Sequence, residues 1–250
     1  MLKQIKSVFG FLTIIPLGMD QDSLVNTADY MPIFPLVGAF IGLLAGCFAW
    51  ALSHILPNTI VGVLTLGFLL LITGLHHTDG LLDLGDGLMF HGSAKRKIEI
   101  MHDQLTGAGG LTLGIITFLA TALCIGEINT NMIIQSLIVV EVSAKLSMVM
   151  GAWAGKEVHK GMSTAFLDAM HGRNRIVRIA IALTISSVIA LLLLGYVGLL
   201  VVLVAILTSL FMVGIAHRHF GGVTGDVLGA TNELSRMVSL IALLALIPWV

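Results

Sequence analysis

The chain is expected to fold as an all-α bundle of transmembrane helices, one integral membrane domain over residues 1–250. Three observations predict this. Hydrophobic residues make up 57% of the sequence and charged ones only 11%, against roughly 45–50% and about 25% in a soluble domain. Mean hydropathy is +1.01. The apolar residues fall into runs near the ~17–25 residues that a bilayer-crossing helix needs, separated by turn-formers or by long polar stretches.

At the N-terminus, Lys3 and Lys6 precede a short apolar run that lacks a small-x-small cleavage site, so it does not read as a removed signal peptide. Residues 5–16 are expected to lie along the interface or to re-enter. Spans are expected at about 33–55, 60–75, 108–126, 131–153, 176–194, 197–216 and 234–250, about seven in all, the second and last being short. Pro57-Asn58, the Asn129 to Asn131 segment and Gly195 mark joints.

Charge then orients the bundle. Lys95, Arg96 and Lys97 follow the second span; Lys156, Lys160, Arg173, Arg175 and Arg178 surround the connection after the fourth; Arg218 and Arg236 flank the one after the sixth. The connections near 56–59, 127–130 and 195–196 carry no Lys or Arg. By the positive-inside rule the polar stretches 76–107, 154–175 and 217–233 all face the cytoplasm of a cell membrane. A net charge of −1 excludes a nucleic-acid surface. Cys47 and Cys124 lie in apolar runs and read as small buried hydrophobes.

The first polar stretch holds Asp79, Asp83, Asp86 and Asp103. On a helix, offsets of four and seven residues return to within about 40° of the start, so Asp79, Asp83 and Asp86 would share a face. Three adjacent carboxylates repel, and a hard divalent cation, Mg²⁺ before Ca²⁺, would relieve them. An acidic cap or solvated loop is the plainer alternative. Gly80, Gly85 and Gly87 suit close approach of backbone, while Gly107, Gly109 and Gly110 open the next span, either as an anion-binding helix start or for helix packing.

The third stretch, RHFGGVTGDVLGATNELSR, puts Asp226 and Glu233 seven residues apart, on one face if the helix is continuous. Equally, Thr231 or Asn232 could cap a helix that begins at Glu233. Arg218 is suited to clamp phosphate. Within the fourth span, Glu141 and Lys145 stand four apart, either as a structural ion pair or as part of a site. In the second stretch Lys156, Glu157, His159, Lys160 and Asp168 could form a lid or rim. The histidines match no zinc spacing. Carboxylates, a metal and arginine at one membrane face suggest phosphoryl chemistry on a diphosphate substrate.

Three motifs then resemble one family: His77-x-Asp79-Gly80-x-x-Asp83-x-x-Asp86-Gly87, Ile100-Met101-x-Asp103 with Gly107 and Gly110, and Gly221-Gly222-x-Thr224-Gly225-Asp226-x-Leu228-Gly229-Ala230-x-x-Glu233. They are similar to cobalamin-5′-phosphate synthase, also called adenosylcobinamide-GDP ribazoletransferase. Phe11-Leu12-Thr13-x-x-Pro16 and Phe34-Pro35-Leu36-x-Gly38 resemble it too. The resemblance implies an integral membrane, Mg²⁺-dependent transferase. In it a ribose hydroxyl of α-ribazole, or of its 5′-phosphate, attacks the cobinamide-linked phosphorus of adenosylcobinamide-GDP and GMP leaves. It implies Asp79, Asp83, Asp86 and Asp103 as metal residues and His77, Asp83, Asp103 and Arg218 as catalytic ones. Arg218, Asp226 and Glu233 would bind substrate. Where the family usually reads Ser-Arg-x-Gly, this chain has Gln104-Leu105-Thr106-Gly107, so a phosphate contact would fall to Lys95, Lys97 or Lys145. Membrane lipid and the two substrates are the implied partners, no nucleic acid among them, and homo-oligomerisation is left open.

Two rivals remain. A CDP-alcohol phosphotransferase would show D-G-x2-A-R-x8-G-x3-D-x3-D, but Asp83-Leu84 replaces the Ala-Arg. A cation transporter would use intramembrane carboxylates, of which Glu141 is the best example.

Overall fold

The computed structural model describes residues 2–17, 23–103, 105–158 and 161–246. These form α1 (Leu2–Leu12), α2 (Ser23–Asp29), a 3-10 turn (Met31–Ile33), α3 (Phe34–Leu52), α4 (Asn58–Ile72), α5 (His76–Met89), α6 (Ala94–Met101), α7 (Ala108–Glu127), α8 (Ile133–Ala154), α9 (Met162–His171), α10 (Arg175–His219) and α11 (Gly225–Leu246). The all-α expectation holds: among the described residues the only extended pairing is one bridge between Glu157 and Val223. Five helical segments are long and apolar enough to cross a membrane: the turn with α3, then α7, α8, α10 and α11. Helix α4 qualifies only together with α5, from which it is bent by 99°.

Helix α10 is two arms. Gly195 has φ 59° and ψ −141°, a conformation open in practice to glycine alone. A Cβ on Gly198 would fall on the carbonyl of Ala190, although eight residues along a straight helix span about 12 Å. The chain therefore doubles back at Gly195, where the sequence placed a joint.

Helix α8 is the centre of the bundle, with Leu137, Val139, Val140, Glu141, Val142, Ala144, Lys145 and Leu146 all wholly buried. Helix α3 lies directly on it through glycines spaced by four. Cβ atoms on Gly38 and Gly42 would stand 2.5 Å from the carbonyl oxygens of Glu141 and Leu137, and one on Gly46 2.7 Å from the Cα of Ile134. Without a hydrophobic force between helices in lipid, such backbone contact supplies the packing energy.

Two expectations are corrected. The final helix does not start near residue 234: α11 begins at Gly225, and Thr224, not Thr231 or Asn232, caps it by accepting the Val227 N–H at 3.2 Å. The polar residues 226–236 can enter the bundle as helix because α8 offers charged partners to them. Residues 247–250 of the expected last span lie outside the described residues. Likewise, the solvated-loop alternative for the first polar stretch gives way, since His76–Met89 is the helix on which Asp79, Asp83 and Asp86 share a face. The N-terminal α1 has 11 residues, about 16 Å and too short to cross. It buries Val8 and Leu12 on the bundle, and Phe11 packs against Phe34 and Phe166.

The three polar stretches meet at one end of the bundle. Gly80 of α5 touches Asp226 of α11, Gly87 touches Met101 and Phe220, and the Val223 N–H donates to the Lys156 carbonyl at 2.8 Å.

Candidate active site

Gly74 (φ 69°) and Leu75 (φ 63°) turn the chain sharply after α4. The 99° bend sets α5 nearly at right angles to α4, and α5 by itself is too short and too polar to cross a membrane. At about 100° per residue, Asp79, Asp83 and Asp86 fall within about 60° of one another, while His77, Leu81 and Leu84 point the opposite way. Burial agrees: Leu81 and Leu84 are at most 1% exposed and His77 only 6%, whereas Asp79 is exposed and Asp83 and Asp86 are half-buried.

Glycines wedge this helix between two others. A Cβ on Gly80 would stand 2.7 Å from the Asp226 carbonyl oxygen and 2.9 Å from its Cα. One on Gly85 would stand 2.7 Å from the Gly109 carbonyl oxygen and 2.8 Å from the Gly110 Cα. The carboxylate stripe thus lies over the groove between α7 and α11, and Asp226 joins it from the first turn of α11. His102, at the end of α6, approaches the same carboxylate, with Nε2 3.7 Å from Asp226 Oδ2. Asp103 follows, exposed, its Oδ1 accepting the Leu105 N–H at 3.3 Å. Asp86 is engaged differently: its oxygens accept the N–H groups of Gly107 at 2.7 Å and Gly110 at 2.8 Å.

Burial first, then the charges of Asp79, Asp226 and Asp86, push the Asp83 carboxyl up to about 7. Among the described residues no three His, Cys, Asp or Glu side chains are already closed around a metal position. The donors nonetheless suit a hard cation: carboxylate oxygens from two helices, gathered where Asp79 is exposed and Asp83 half-buried.

Behind the stripe is a second, sealed constellation. Arg236 donates from Nε to Glu141 Oε1 at 2.5 Å and from Nη2 to Oε2 at 3.2 Å, and it also pairs with Glu233. Lys145 donates to Asn232 Oδ1 at 2.7 Å and stands 3.8 Å from Glu141. Asn232 in turn donates to Glu233 Oε1 at 3.0 Å. Two cations and two carboxylates, none more than 2% exposed, balance. Glu141, the best argument for a transporter, is fully paired here. Asp226 and Glu233 do share a face of α11, as a continuous helix requires, but seven residues carry Glu233 about 10 Å deeper. Glu233 and Lys145 therefore belong to the sealed network and not to the open stripe. So does the surrounding of His77: burial first, then Lys145, Arg236 and His76, hold its imidazole well below its usual pKa, and its Nδ1 has no hydrogen-bond partner among the described residues.

A family described as "Cobalamin-5-phosphate synthase" matches residues 4–244. The chain belongs to the cobalamin-5-phosphate synthase family. Relatives named adenosylcobinamide-GDP ribazoletransferase include one from Methanosarcina barkeri, 34% identical over 97% of this chain and 91% of that protein. Another, from Methanococcoides burtonii, is 31% identical over 97% and 92%, and one from a Thermoanaerobacter species is 32% identical over 96% of each. No solved structure matches the chain.

Within this cobalamin-5-phosphate synthase fold, the remaining candidates divide plainly. Arg218, in the last turn of α10, is exposed at the same end. Lys95 is exposed on α6, but Lys97 is buried and donates to the carbonyls of Gly87 at 3.2 Å and Leu88 at 3.1 Å, closing the C-terminus of α5. Lys97 and Lys145 are thus occupied, whereas Lys95 and Arg218 are exposed. In the second stretch, α9 buries Phe166, Leu167 and Met170 and exposes Asp168, and Glu157 accepts from Thr164. His159, Lys160 and Gln104 lie outside the described residues. Sequence reasoning missed His102 and Arg236. Charge placement reads Arg236 only as a topology marker, yet its i+3 spacing from Glu233 is a visible sign of pairing.

Gly80→Ala tests the α5–α11 contact. Backbone lies on both sides of the new methyl, so the helices must part and Asp226 must leave the stripe. Transfer is expected to fall by about 10²-fold, the cost of roughly 1 Å of misplacement, with the thermal midpoint changed far less; near-normal turnover in lipid would show that this contact does not set the site.

Proposed function

We propose that the protein transfers the adenosylcobinamide phosphate moiety of adenosylcobinamide-GDP to α-ribazole or its 5′-phosphate, releasing GMP. A ribose hydroxyl oxygen forms the new bond to the cobinamide-linked phosphorus as the bond from that phosphorus to the GMP oxygen breaks. The observation that carries this reading is the convergence of Asp79, Asp83 and Asp226 at the Gly80 contact, where three carboxylates gather with only the His102 imidazole beside them among the described residues.

Asp79, Asp83 and Asp226 would hold Mg²⁺, with Asp103 bordering them. Bound there, Mg²⁺ supplies charge neutralisation to the diphosphate oxygens. Lys95 and Arg218 supply further positive charge to phosphate from the rim. An ionised Asp83 or Asp103 would take the proton of the attacking hydroxyl. His77 is buried on the face of α5 opposite the carboxylate stripe, away from the side on which substrate would bind. The excess of Lys and Arg in the three converging stretches supports a cytoplasmic-facing site, open to soluble nucleotide from one side and to an amphipathic partner from the membrane.

The test is direct. Protein reconstituted in lipid, given adenosylcobinamide-GDP and α-ribazole, is expected to release GMP only with Mg²⁺ present. GMP release that is absent under all metal conditions refutes the assignment, and release that survives chelation refutes the metal.

A further inference from the structure

The acidic stripe is not uniform. Asp79 and Asp83 flank Gly80, which lies on the Asp226 backbone, while Asp86 engages one hydrogen bond of each carboxylate oxygen with the start of α7. Those amides are among the four that every helix leaves without an internal partner, and they carry the positive end of the helix dipole. Charge-assisted bonds of 2.7 and 2.8 Å from them are strong. Around them α5 and α7 meet backbone to backbone. A Cβ on Gly109 would stand 2.6 Å from the Gly85 carbonyl oxygen, one on Gly110 2.5 Å from that of Leu82, and one on Gly107 2.6 Å from Asp86 Oδ1. The contact leaves no slack, so a carboxylate pinned at residue 86 fixes the rotation of α5 about its own axis. Asp83 and Asp79, one and two turns away and within about 60° of Asp86 around the helix, are aimed by that rotation.

We propose that Asp86 is a positioning residue: it docks α5 onto the N-terminus of α7 and thereby aims Asp79 and Asp83 at Asp226, rather than ligating the cation itself. This rests on the transferase reading for its kinetic consequence but not for its structural one, and the two are separable.

The experiment compares Asp86→Asn, Asp86→Glu and Asp83→Asn with the parent protein in lipid nanodiscs. Amide exchange over residues 105–112, Mn²⁺ binding followed by EPR and turnover are all measured. In Asp86→Asn, where an amide nitrogen replaces one accepting oxygen, exchange at 107 and 110 is expected to rise at least about tenfold. Mn²⁺ should bind in the same number with affinity within about threefold and an altered line shape, because the ligands remain but are re-aimed. Turnover should fall at least about tenfold with little change in the Mg²⁺ half-saturation point. Asp86→Glu, which keeps the acceptors but pushes the helices apart, should lie between. Asp83→Asn should instead lose Mn²⁺ and leave exchange at 107 and 110 unchanged.

Unchanged exchange in both Asp86 variants overturns the proposal, as does Mn²⁺ affinity falling in Asp86→Asn as far as in Asp83→Asn. If Asp86→Asn does not fold, the same two readouts on Asp86→Glu decide. A parent protein that turns over no substrate removes the transferase reading and leaves the exchange result to decide the docking role.

Discussion

Asp83→Asn is expected to lower transfer by at least about 10²-fold while raising the thermal stability of the metal-free protein. The two effects have one cause. The Asp83 carboxyl is half-buried among Asp79, Asp226 and Asp86, and its folded-state value is about 7 against an ordinary 3.8. Between those values the folded protein retains a proton that the unfolded chain has released, so the contribution of this group to stability falls as pH rises and levels off above about 7. An asparagine carries no such penalty. Its advantage should be absent below about pH 4, grow through the interval and be complete above about pH 7, with the thermal midpoint higher by a few degrees. Added Mg²⁺ should stabilise the parent protein at pH 8 and leave the variant unmoved, since the ion binds what the substitution removes. Melting curves in lipid across this range, with and without Mg²⁺, check the prediction. Retained Mg²⁺-dependent turnover would end the metal role of Asp83.

Arg236→Met is expected to cost about 3–5 kcal/mol, the usual consequence of removing one partner from a buried charge group. The arginine is wholly buried and serves two carboxylates on different helices. Without it Glu141 and Glu233 face one another with Lys145 alone to offset them. Replacing the whole group, with Arg236→Met, Glu141→Leu, Glu233→Leu and Lys145→Met together, should recover most of that loss, because an apolar interior of similar volume needs no charge compensation. Thermal unfolding in detergent or lipid distinguishes the cases. A single variant melting within a degree of the parent would mean that the network contributes little. A fourfold variant that folds well but no longer turns over would extend the role of the network from architecture to the site above it.

Different features were legible to different depths. The glycines at 38, 42 and 46 repeat every four residues in an apolar run, a visible sign of close helix packing left unread in the sequence, and the structure sets them against α8. The Gly195 joint was equally plain, since an apolar run of that length is too long for one crossing and glycine tolerates the required turn. The start of α11 was not legible. Asp226, Asn232, Glu233 and Arg236 look like a solvated loop until it is known that Glu141 and Lys145 meet them from α8. The same blindness assigned Glu233, Lys145 and His77 to the open site. Residue type and spacing gave them a shared face or a favourable pair, but depth along a helix axis depends on how the neighbouring helix is placed.

Sequence alone determined that this is an all-α membrane protein, that it resembles the cobalamin-5-phosphate synthase family, and that Asp79, Asp83 and Asp86 share one helical face. Hydropathy, motif order and helical period are properties of consecutive residues, and they need no partner to be read. Only the tertiary structure decided which of the ionisable groups stand at the open end with Asp226 and which are sealed behind them. It alone showed Asp86 bound to α7 rather than standing with its neighbours. Those distinctions are set by contacts between residues far apart in the chain, where a glycine lets two backbones touch or a buried arginine draws two carboxylates inward.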